Sequence, residues 1–300
     1  MLLYRGADYN KLDELGQSPL MKACEHGHTD IVKILLDKGA DYKTCDGNGQ
    51  SPLMKACESG RADILIMLLD RGADFNECDN VNQSPLMKAC KHGQTDIVKI
   101  LLDIEADCKK CDIKGQSSVF MACERDCAEI VKMLLDKGAD CNEGDKLPLM
   151  KVCTYGGTEI VKMLLDKGAD YDKFDELGQS PVMKACDHGH ADIVKILLDK
   201  GADCNKCDLE GQTPLMKACE RGRTEILKML LDRAADFNKC DNVDQTPLMI
   251  ASKNGHSEIE NMLLEKGADY HTCESNGRSA IIMAFRRSYN GIVALNCTVL

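Results

Sequence analysis

Hydrophobic and polar positions along this chain repeat together every 33 residues. The segment that begins with Asp13 and reads Asp-Glu-Leu-Gly-Gln-Ser-Pro-Leu-Met-Lys-Ala-Cys recurs, with small changes, from Asp46, Asp79, Asp112, Asp175, Asp208 and Asp241. A fixed period of this length indicates a stack of one small supersecondary unit, in which each copy buries its apolar face against its neighbours. We therefore expect function to lie on an extended surface and not in the pocket of one globular core.

Each unit of the pattern predicts two helices and a finger. Ser or Thr precedes Pro, so the hydroxyl can cap a first helix that runs from Pro19 to about His26. A second helix carries apolar residues such as Ile31 and Ile34 at helical spacing, and it ends at Gly39. The turn-rich segment that follows predicts an extended finger leading to the next unit.

Helix, turn, helix and finger, with Ser/Thr-Pro-Leu and Gly-Ala-Asp at these offsets, resemble the ankyrin repeat. The resemblance covers nearly all of residues 1–295 and implies an all-α repeat fold, a solenoid of stacked helix-turn-helix units with β-hairpin fingers. The predicted units are a partial repeat at 1–12, eight repeats at 13–45, 46–78, 79–111, 112–144, 145–174 (shortened), 175–207, 208–240 and 241–273, and a degenerate partial repeat at 274–300.

One position departs systematically from the family. Thr-Pro-Leu-His-x-Ala of the family reads Ser/Thr-Pro-Leu-Met-Lys-Ala here, and the resemblance implies that a His which ties successive units together has been lost. The residues in its place are Met21, Met54, Met87, Met150, Met183, Met216 and Met249. Because the thioether side chain packs adaptably, we predict that these methionines belong to the core.

The array also looks like a duplicated block with an irregular middle. The seven residues from Asp13 are repeated from Asp175. Between the two copies, Glu105 and Asp126 replace glycines where a left-handed backbone is expected, and one fingertip is shortened. A non-Gly residue forced into that conformation costs about 1–2 kcal/mol. Residues 104–150 are therefore predicted to form the least stable junction, a hinge between two rigid halves.

The charge and the absence of targeting signals narrow the class of protein. With 49 acidic and 38 basic residues, the formal net charge is −11, which disfavours attraction to nucleic acids or anionic membranes. No stretch approaches the roughly 20 apolar residues of a membrane helix, and the start does not resemble a secretory signal. The sequence predicts an intracellular protein of the cytoplasm, with the nucleus left open, and no nucleic-acid partner.

The 18 cysteines fall mostly into two series that follow the repeat. Equivalent positions in stacked helical units lie roughly 8–10 Å apart, beyond the ~7 Å limit for a disulfide, so we predict reduced, small core residues. The pairs Cys108 with Cys111 and Cys204 with Cys207 lie three units apart and cannot share one zinc ion. No metal or cofactor is predicted, and no catalytic constellation stands outside the repeat, which predicts a protein that is not an enzyme.

The resemblance implies that partners contact the fingertips and the exposed side of helix one. Carried over residue by residue, the candidate fingertip residues are Glu14, Leu15, Gln17, Gly47, Asn48, Gln50, Asn80, Val81, Gln83, Ile113, Lys114, Gln116, Glu176, Leu177, Gln179, Leu209, Glu210, Gln212, Asn242, Val243 and Gln245. Their variety fits a recognition surface, and drift at solvent positions is the alternative. Tyr155 is a candidate exposed anchor.

A row of lysines recurs along helix one: Lys22, Lys55, Lys88, Lys151, Lys184 and Lys217. Acidic residues such as Glu25 and Glu58 follow three positions later, where pairing contributes only about 0.2–0.5 kcal/mol. We interpret the row as a solvated face, which as the lining of a groove would favour peptides of mixed charge.

Two kinds of modification site are also predicted. Asn76, Asn142, Asn205 and Asn238 follow an Asp by two residues and are similar to ankyrin positions used by asparaginyl hydroxylases. The last four residues, from Cys297, have the form of a prenylation signal, so a weak prenyl anchor is possible, although no polybasic stretch adjoins it and chance is the alternative.

Together these features predict a non-catalytic scaffold or adaptor that holds protein partners across the fingertips and the helix-one groove. The alternative is a regulatory or targeting segment of a larger enzyme, channel or ubiquitin-ligase-type protein, because neither end of the array looks like a polar capping unit.

Overall fold

The computed structural model describes residues 8–272 and 277–286, and this part of the chain is helical. The chain divides into two compact units, Met1–Lys151 and Val152–Leu300. The helices are α1 (Pro19–His26), α2 (Thr29–Asp37), α3 (Pro52–Ser59), α4 (Ala62–Asp70), α5 (Pro85–His92), α6 (Thr95–Asp103), α7 (Ser118–Glu124), α8 (Ala128–Asp136), α9 (Pro148–Tyr155), α10 (Thr158–Asp166), α11 (Pro181–His188), α12 (Ala191–Asp199), α13 (Pro214–Arg221), α14 (Thr224–Asp232), α15 (Pro247–Asn254), α16 (Ser257–Glu265) and α17 (Ala280–Arg286).

Local chemistry starts and stops the helices as the sequence predicts. The Ser18 hydroxyl accepts a hydrogen bond from the Met21 N–H at 3.2 Å, and Pro19 fills the first turn of α1. Gly27 ends α1 with a left-handed backbone, at φ 71°, and Gly39 does the same after α2, at φ 83°. The predicted bounds of the two helices are therefore confirmed to within two residues.

Within each unit, equivalent helices stack on one another. In the first unit α1 packs on α3, α3 on α5 and α5 on α7, and α2, α4, α6 and α8 form a second layer. In the second unit α11, α13, α15 and α17 form one layer, and α10, α12, α14 and α16 the other. The predicted solenoid of helix-turn-helix units is confirmed.

The methionine row is part of the core, as predicted. Met21, Met54, Met87 and Met216 have no exposed surface, and the other three methionines of the row are also buried. Beside them lies the first series of cysteines, which is fully buried as well: Cys24, Cys57, Cys90, Cys123, Cys153, Cys186 and Cys219. Packing by flexible thioethers and small thiols therefore fills the space between successive first helices.

Two isoleucines of α2 are exposed, although Val32, Leu35 and Leu36 of the same helix are buried. Ile31 and Ile34 of α2 are 46% and 49% exposed, although their spacing is that of a core face. Ile64 and Ile97, which are equivalent to Ile31, are buried in α4 and α6. The exposure of this apolar position therefore differs between α2 and the later helices α4 and α6.

The fingers are turns and not β-hairpins, which corrects the expectation drawn from the family. Within residues 8–272 and 277–286 no strand is longer than an isolated bridge, such as the one between Cys111 and Ser117. The typical finger closes through two backbone bonds, from the Asp46 N–H to the Gln50 oxygen at 3.0 Å and from the Gly49 N–H to the Asp46 oxygen at 2.9 Å. The Asp46 carboxylate then accepts the N–H groups of Asn48 and Gln50, so a side chain supplies the bonds that a strand partner would supply.

The irregular middle has the backbone that its sequence predicts. Glu105 and Asp126 adopt left-handed conformations, at φ 63° and 54°. Helix α7 has seven residues and begins with Ser118, whose buried hydroxyl has no hydrogen-bond partner among the described residues. These features support the prediction that residues 104–150 are the least stable junction, which stays a prediction.

One buried residue of the last full repeat breaks the pattern. Glu260 of α16 has no exposed surface, and neither of its carboxyl oxygens has a hydrogen-bond partner in the described part of the chain. The nearby repeat position usually held by Cys is here Ser252, whose hydroxyl lies near enough to Glu260 to oppose the rise of its pKa, although neither side chain has a hydrogen bond of standard geometry among the described residues. Val32, Val98 and Val194 occupy the position of Glu260 in other repeats, so a carboxyl group stands in an apolar site. Burial raises the pKa of Glu260.

Candidate functional site

The fingertips expose a row of aliphatic side chains. Leu15 and Ile113 are each 67% exposed, Leu177 is 61% and Leu209 is 70% exposed. Val81 and Val243 are exposed to a smaller extent. The predicted polar residues of the tips are also exposed: Glu14, Asn48, Asn80, Lys114, Glu176, Glu210 and Asn242. Isolated exposed aliphatic residues are ordinary, but here one lies one or two residues after the finger Asp in six of the seven full-length fingers, which makes the row a candidate contact surface.

Backbone hydrogen bonds fix the spacing of neighbouring tips. The Gly47 N–H donates to the Leu15 oxygen at 3.0 Å, and the Ile113 N–H donates to the Val81 oxygen at 3.1 Å. In the second unit the Leu209 N–H donates to the Leu177 oxygen at 3.1 Å. The exposed side chains therefore project from hydrogen-bonded backbone and not from independent loops, which lowers the entropy cost of ordering them against a partner.

The glutamines of the fingers have a structural role. Gln83 is 7% exposed and is removed from the candidate surface, and its amide donates to Asp112 of the next finger at 3.0 Å. The other predicted glutamines are half-buried: Gln17, Gln50, Gln116, Gln179, Gln212 and Gln245. Their amide oxygens accept from helix-one lysines where this is seen, as in the bond from Lys22 to Gln17 at 3.0 Å.

The helix-one lysines are not the solvated face that the sequence indicates. Lys55, Lys88 and Lys217 are buried, at 5–7% exposure. Five of the six lysines bond the Asp that opens their own finger, with distances between Nζ and the carboxylate of 2.8–3.2 Å: Lys22 with Asp13, Lys55 with Asp46, Lys88 with Asp79, Lys184 with Asp175 and Lys217 with Asp208. Lys151, beside the shortened finger, bonds Glu124 of the preceding helix one at 2.7 Å. The predicted pairing with the acid three residues later is therefore wrong, because the folded finger brings a nearer carboxylate to the lysine.

We call the Asp, the Gln and the helix-one Lys of one repeat the finger frame, and the two residues after the Asp the tip positions. In the frame of Asp46, Gln50 and Lys55, burial opposes ionisation, but the Gln50 N–H and the Lys55 ammonium hold the pKa of Asp46 below its usual range. Lys88 joins two repeats, since it also bonds Glu58 of the preceding helix one at 3.1 Å. Ion pairs between helix one and the finger thus recur along the array and stabilise the fingers.

The cysteines divide into buried and accessible groups. Burial raises the pKa of the Cys24 thiol to about 12, and the other buried members of its series have raised pKa values for the same reason. The finger series is not core, which corrects the prediction for Cys45, Cys78, Cys111 and Cys207, which are half-buried, and for Cys240, which is exposed. The thiols of Cys45, Cys78 and Cys240 also have pKa values raised by burial, so they are weak nucleophiles at neutral pH.

The predicted hydroxylation sites take part in contacts between repeats. The side-chain oxygen of Asn76 accepts the Asp107 N–H at 2.9 Å, that of Asn205 accepts the Asp236 N–H at 2.8 Å, and that of Asn238 accepts the Asp269 N–H at 3.0 Å. Asn142 is half-buried. Each of these three hydrogen bonds joins the segment after one helix two to the equivalent segment of the next repeat. Modification of the asparagines stays a prediction.

The remaining candidates differ in where they lie. Tyr155 is 57% exposed at the end of α9, as expected of an anchor. Cys297 lies outside the described residues. In the ranges that the structure covers, no three His, Cys, Asp or Glu side chains converge as metal ligands, and no helix has the length and apolar character to cross a membrane.

Comparison with known proteins agrees with this architecture. The family described as ankyrin repeats (3 copies) matches residues 1–79, 71–145, 142–208, 201–274 and 235–295. The chain belongs to the ankyrin repeat family. It is similar to the crystal structure of the human ASB11 ankyrin repeat domain, with a TM-score of 0.67 and 26% identity, over 73% of this chain and 99% of that chain. No curated protein matches the chain significantly.

The ankyrin repeat is a protein-interaction module, and membership of the family therefore supports a protein-binding role for this chain. The ankyrin fold is generally non-catalytic. Sequence reasoning missed the finger frame, although its signal is visible: an Asp nine residues before every helix-one Lys in the regular repeats.

Proposed function

We propose that this ankyrin repeat protein is a non-catalytic scaffold or adaptor that binds a protein partner through its fingertips and the adjoining side of helix one. The observation that carries the proposal is the recurrence of exposed aliphatic tips on hydrogen-bonded fingers, with Leu209 as the most exposed example. Such tips can be buried by a partner without any rearrangement of the frame beneath them.

The division of each finger into a buried frame and an exposed tip supports this proposal. The frame residues Asp46 and Lys55 are buried, whereas the neighbouring tip residue Asn48 is exposed. Tip residues can therefore vary between repeats with little effect on folding, and variation at such positions sets partner preference. An interface of standard size buries about 1,600 Å² in total, which requires several fingers and not one.

The test is affinity purification of the full chain from cells, with mass spectrometry of the recovered proteins. The decisive variant replaces the six aliphatic tips with Ser: Leu15, Val81, Ile113, Leu177, Leu209 and Val243. We expect specific partners to be lost while the circular dichroism spectrum is unchanged. A partner list that the variant leaves unchanged would move the binding site off the fingertips.

A matched variant keeps the result specific. Ile31→Ser and Ile34→Ser also remove exposed aliphatic groups, but from α2 and not from a finger. We expect this variant to retain the partners that the fingertip variant loses. Equal loss from both variants would indicate general stickiness of apolar surface and would contradict a role for the fingertips.

A further inference from the structure

Three consecutive fingers of the second unit combine exposed aliphatic and acidic side chains. Leu177, Leu209 and Val243 are 61%, 70% and 55% exposed. An exposed carboxylate stands next to each of them along the chain. We call the six residues the acidic tip row: Glu176, Leu177, Leu209, Glu210, Val243 and Asp244.

The backbone holds this row together. The Leu209 N–H donates to the Leu177 oxygen at 3.1 Å, and the Asn242 N–H donates to the Glu210 oxygen at 3.0 Å. The side chain of Asn242 adds a bond to the Leu209 oxygen at 2.8 Å. With stacked units spaced roughly 10 Å apart, three tips extend over about 20 Å, the length of about six residues of extended chain.

The lysines of the frame, which lie near these tips, are paired with aspartates of the same frame. Residues 175–179, 208–212 and 241–245 contain no Lys or Arg. The Lys184 ammonium bonds Asp175 at 2.9 Å, and Lys217 bonds Asp208 at 3.2 Å with only 7% of its surface exposed. The aspartates of the frame take up these lysines, and the charged side chains at the tips themselves are carboxylates, with no basic residue among them.

The burial of the frame lysines changes the kind of partner that is expected. An open lysine row would favour peptides of mixed charge, but Lys217 is buried, Lys184 is half-buried, and both pair with aspartates of the frame, so they are less available to a ligand's carboxylates. The exposed side chains of the three tips are aliphatic and acidic, together with the amide of Asn242. Burial of the aliphatic side chains supplies affinity in proportion to the apolar area covered, and the carboxylates steer and select a positively charged segment.

We propose that the acidic tip row binds an extended segment of a protein partner in which Lys or Arg residues adjoin Leu, Ile or Val residues. This inference rests on the proposed function, because it names the chemistry of the partner that the fingertips take. Its scope is narrower, since it concerns the second unit alone and fixes both the sign of the partner's charge and its apolar character.

The first unit offers a matched control. Its first finger has the same sequence, from Asp13 to Pro19, as the finger from Asp175 to Pro181. Leu15 is as exposed as Leu177, but the next tip carries Gly47 and Asn48 and no aliphatic residue. Leu15→Ser therefore removes the same side chain from the same turn, outside any aliphatic row of consecutive tips.

The experiment selects ligands from a library of random linear peptides with the full chain as bait, and then measures the enriched peptides by fluorescence anisotropy. We expect enrichment of peptides rich in Lys or Arg and in aliphatic residues. Leu177→Ser with Leu209→Ser should weaken their binding about tenfold or more. Glu176→Lys with Glu210→Lys should weaken it similarly, and added salt should weaken binding to the unaltered chain.

Leu15→Ser should leave these affinities unchanged, and all variants should keep the melting temperature of the unaltered chain within about 2 °C, because exposed substitutions change stability little. Enrichment of acidic or uncharged peptides, equal loss with Leu15→Ser, or no enriched peptide would overturn the inference. In each of these cases the proposed function still holds if the variant with six serine tips loses its cellular partners. The proposed function is itself contradicted if that variant keeps them.

Discussion

Two parts of each finger differ in almost every physical respect. The frame is buried and charged, as in Asp46 with Lys55, whereas the tip is exposed and often apolar, as in Leu209. The complete frame recurs in five of the eight repeats, while the tips vary. The buried polar residues of the frame therefore serve folding, whereas exposed apolar residues of the tips are available to partners, the reverse of the usual assignment.

The largest expected effect comes from breaking a buried frame. Asp46→Ala leaves the Lys55 ammonium buried without its carboxylate, and removing one partner of a buried pair costs about 3–5 kcal/mol. We expect the free energy of unfolding in urea to fall by about that amount. The variant also loses two turn hydrogen bonds, from the N–H groups of Asn48 and Gln50.

Asp13→Ala is the matched control for this prediction. Asp13 accepts the same two turn bonds, from Leu15 and Gln17, but its ion pair with Lys22 is exposed, with Lys22 showing 50% of its side chain. Exposed pairs contribute little, so the control should lose much less stability. Equal losses would show that burial of the frame is not what stabilises the finger.

Glu260 sharpens the comparison because it is a buried carboxyl without a frame. Glu260→Val restores the residue type that other repeats carry and removes two unpartnered oxygens. We expect the free energy of unfolding to rise by about 1–3 kcal/mol, the cost of leaving a buried polar group unsatisfied. Glu258→Val, on the exposed face of the same helix, should change it by less than about 0.5 kcal/mol. A destabilised Glu260→Val variant would reveal a partner for the carboxyl group.

The same contrast predicts opposite pH dependences. Burial raises the pKa of Glu260, so the folded state holds its proton more tightly, and stability falls as pH rises from the ordinary glutamate value through the raised one. Asp175 has a lowered pKa, because the Lys184 ammonium and the Gln179 N–H outweigh the opposing effect of burial. Its contribution is therefore lost as pH falls below the ordinary aspartate value.

Melting temperatures measured across this range check the signs. Glu260→Gln should remove the loss of stability on the alkaline side of the ordinary glutamate value and should leave the loss on the acidic side. An unchanged profile would mean that Glu260 does not titrate differently in the folded and unfolded states.

The smallest expected effect concerns residues 104–150, where the destabilising feature is backbone strain and not the burial of a finger. Glu105→Gly relieves a left-handed conformation and should raise the free energy of unfolding by about 1 kcal/mol. Gly39→Glu makes the reverse change in a regular repeat, where an added Cβ meets no atom within 4 Å, so only the backbone conformation acts. Amide hydrogen exchange should be fastest in residues 104–150, and uniform protection along the chain would contradict the predicted hinge.

The local chemistry of the sequence was sufficient to predict the helices. Ser18 and Pro19 start α1 and Gly27 ends it through interactions within a few residues of one another, which can be recognised without knowing the fold. The burial of Met54 and Cys57 also follows from periodicity alone, because a repeated apolar position must face a neighbouring repeat.

The candidate site could be predicted only in part. The tips Leu15 and Leu177 are exposed as their turn sequences predict. The role of Lys55 was not predicted, since a lysine on a helix is normally solvated and its partner, Asp46, lies nine residues earlier in the finger of the same repeat. The family resemblance predicted β-hairpin fingers, but the carboxylate of that Asp satisfies the turn within the finger itself.

The sequence by itself therefore determined the repeat, the helix bounds and the identity of the tip residues, because each depends on neighbours along the chain or on strict periodicity. The tertiary structure decided which charges are buried, which isoleucines are left exposed, and that Glu260 is enclosed without a partner. These properties depend on how far a folded neighbour covers a side chain and which counter-charge it brings within about 3 Å, and neither is encoded in the residue's own segment.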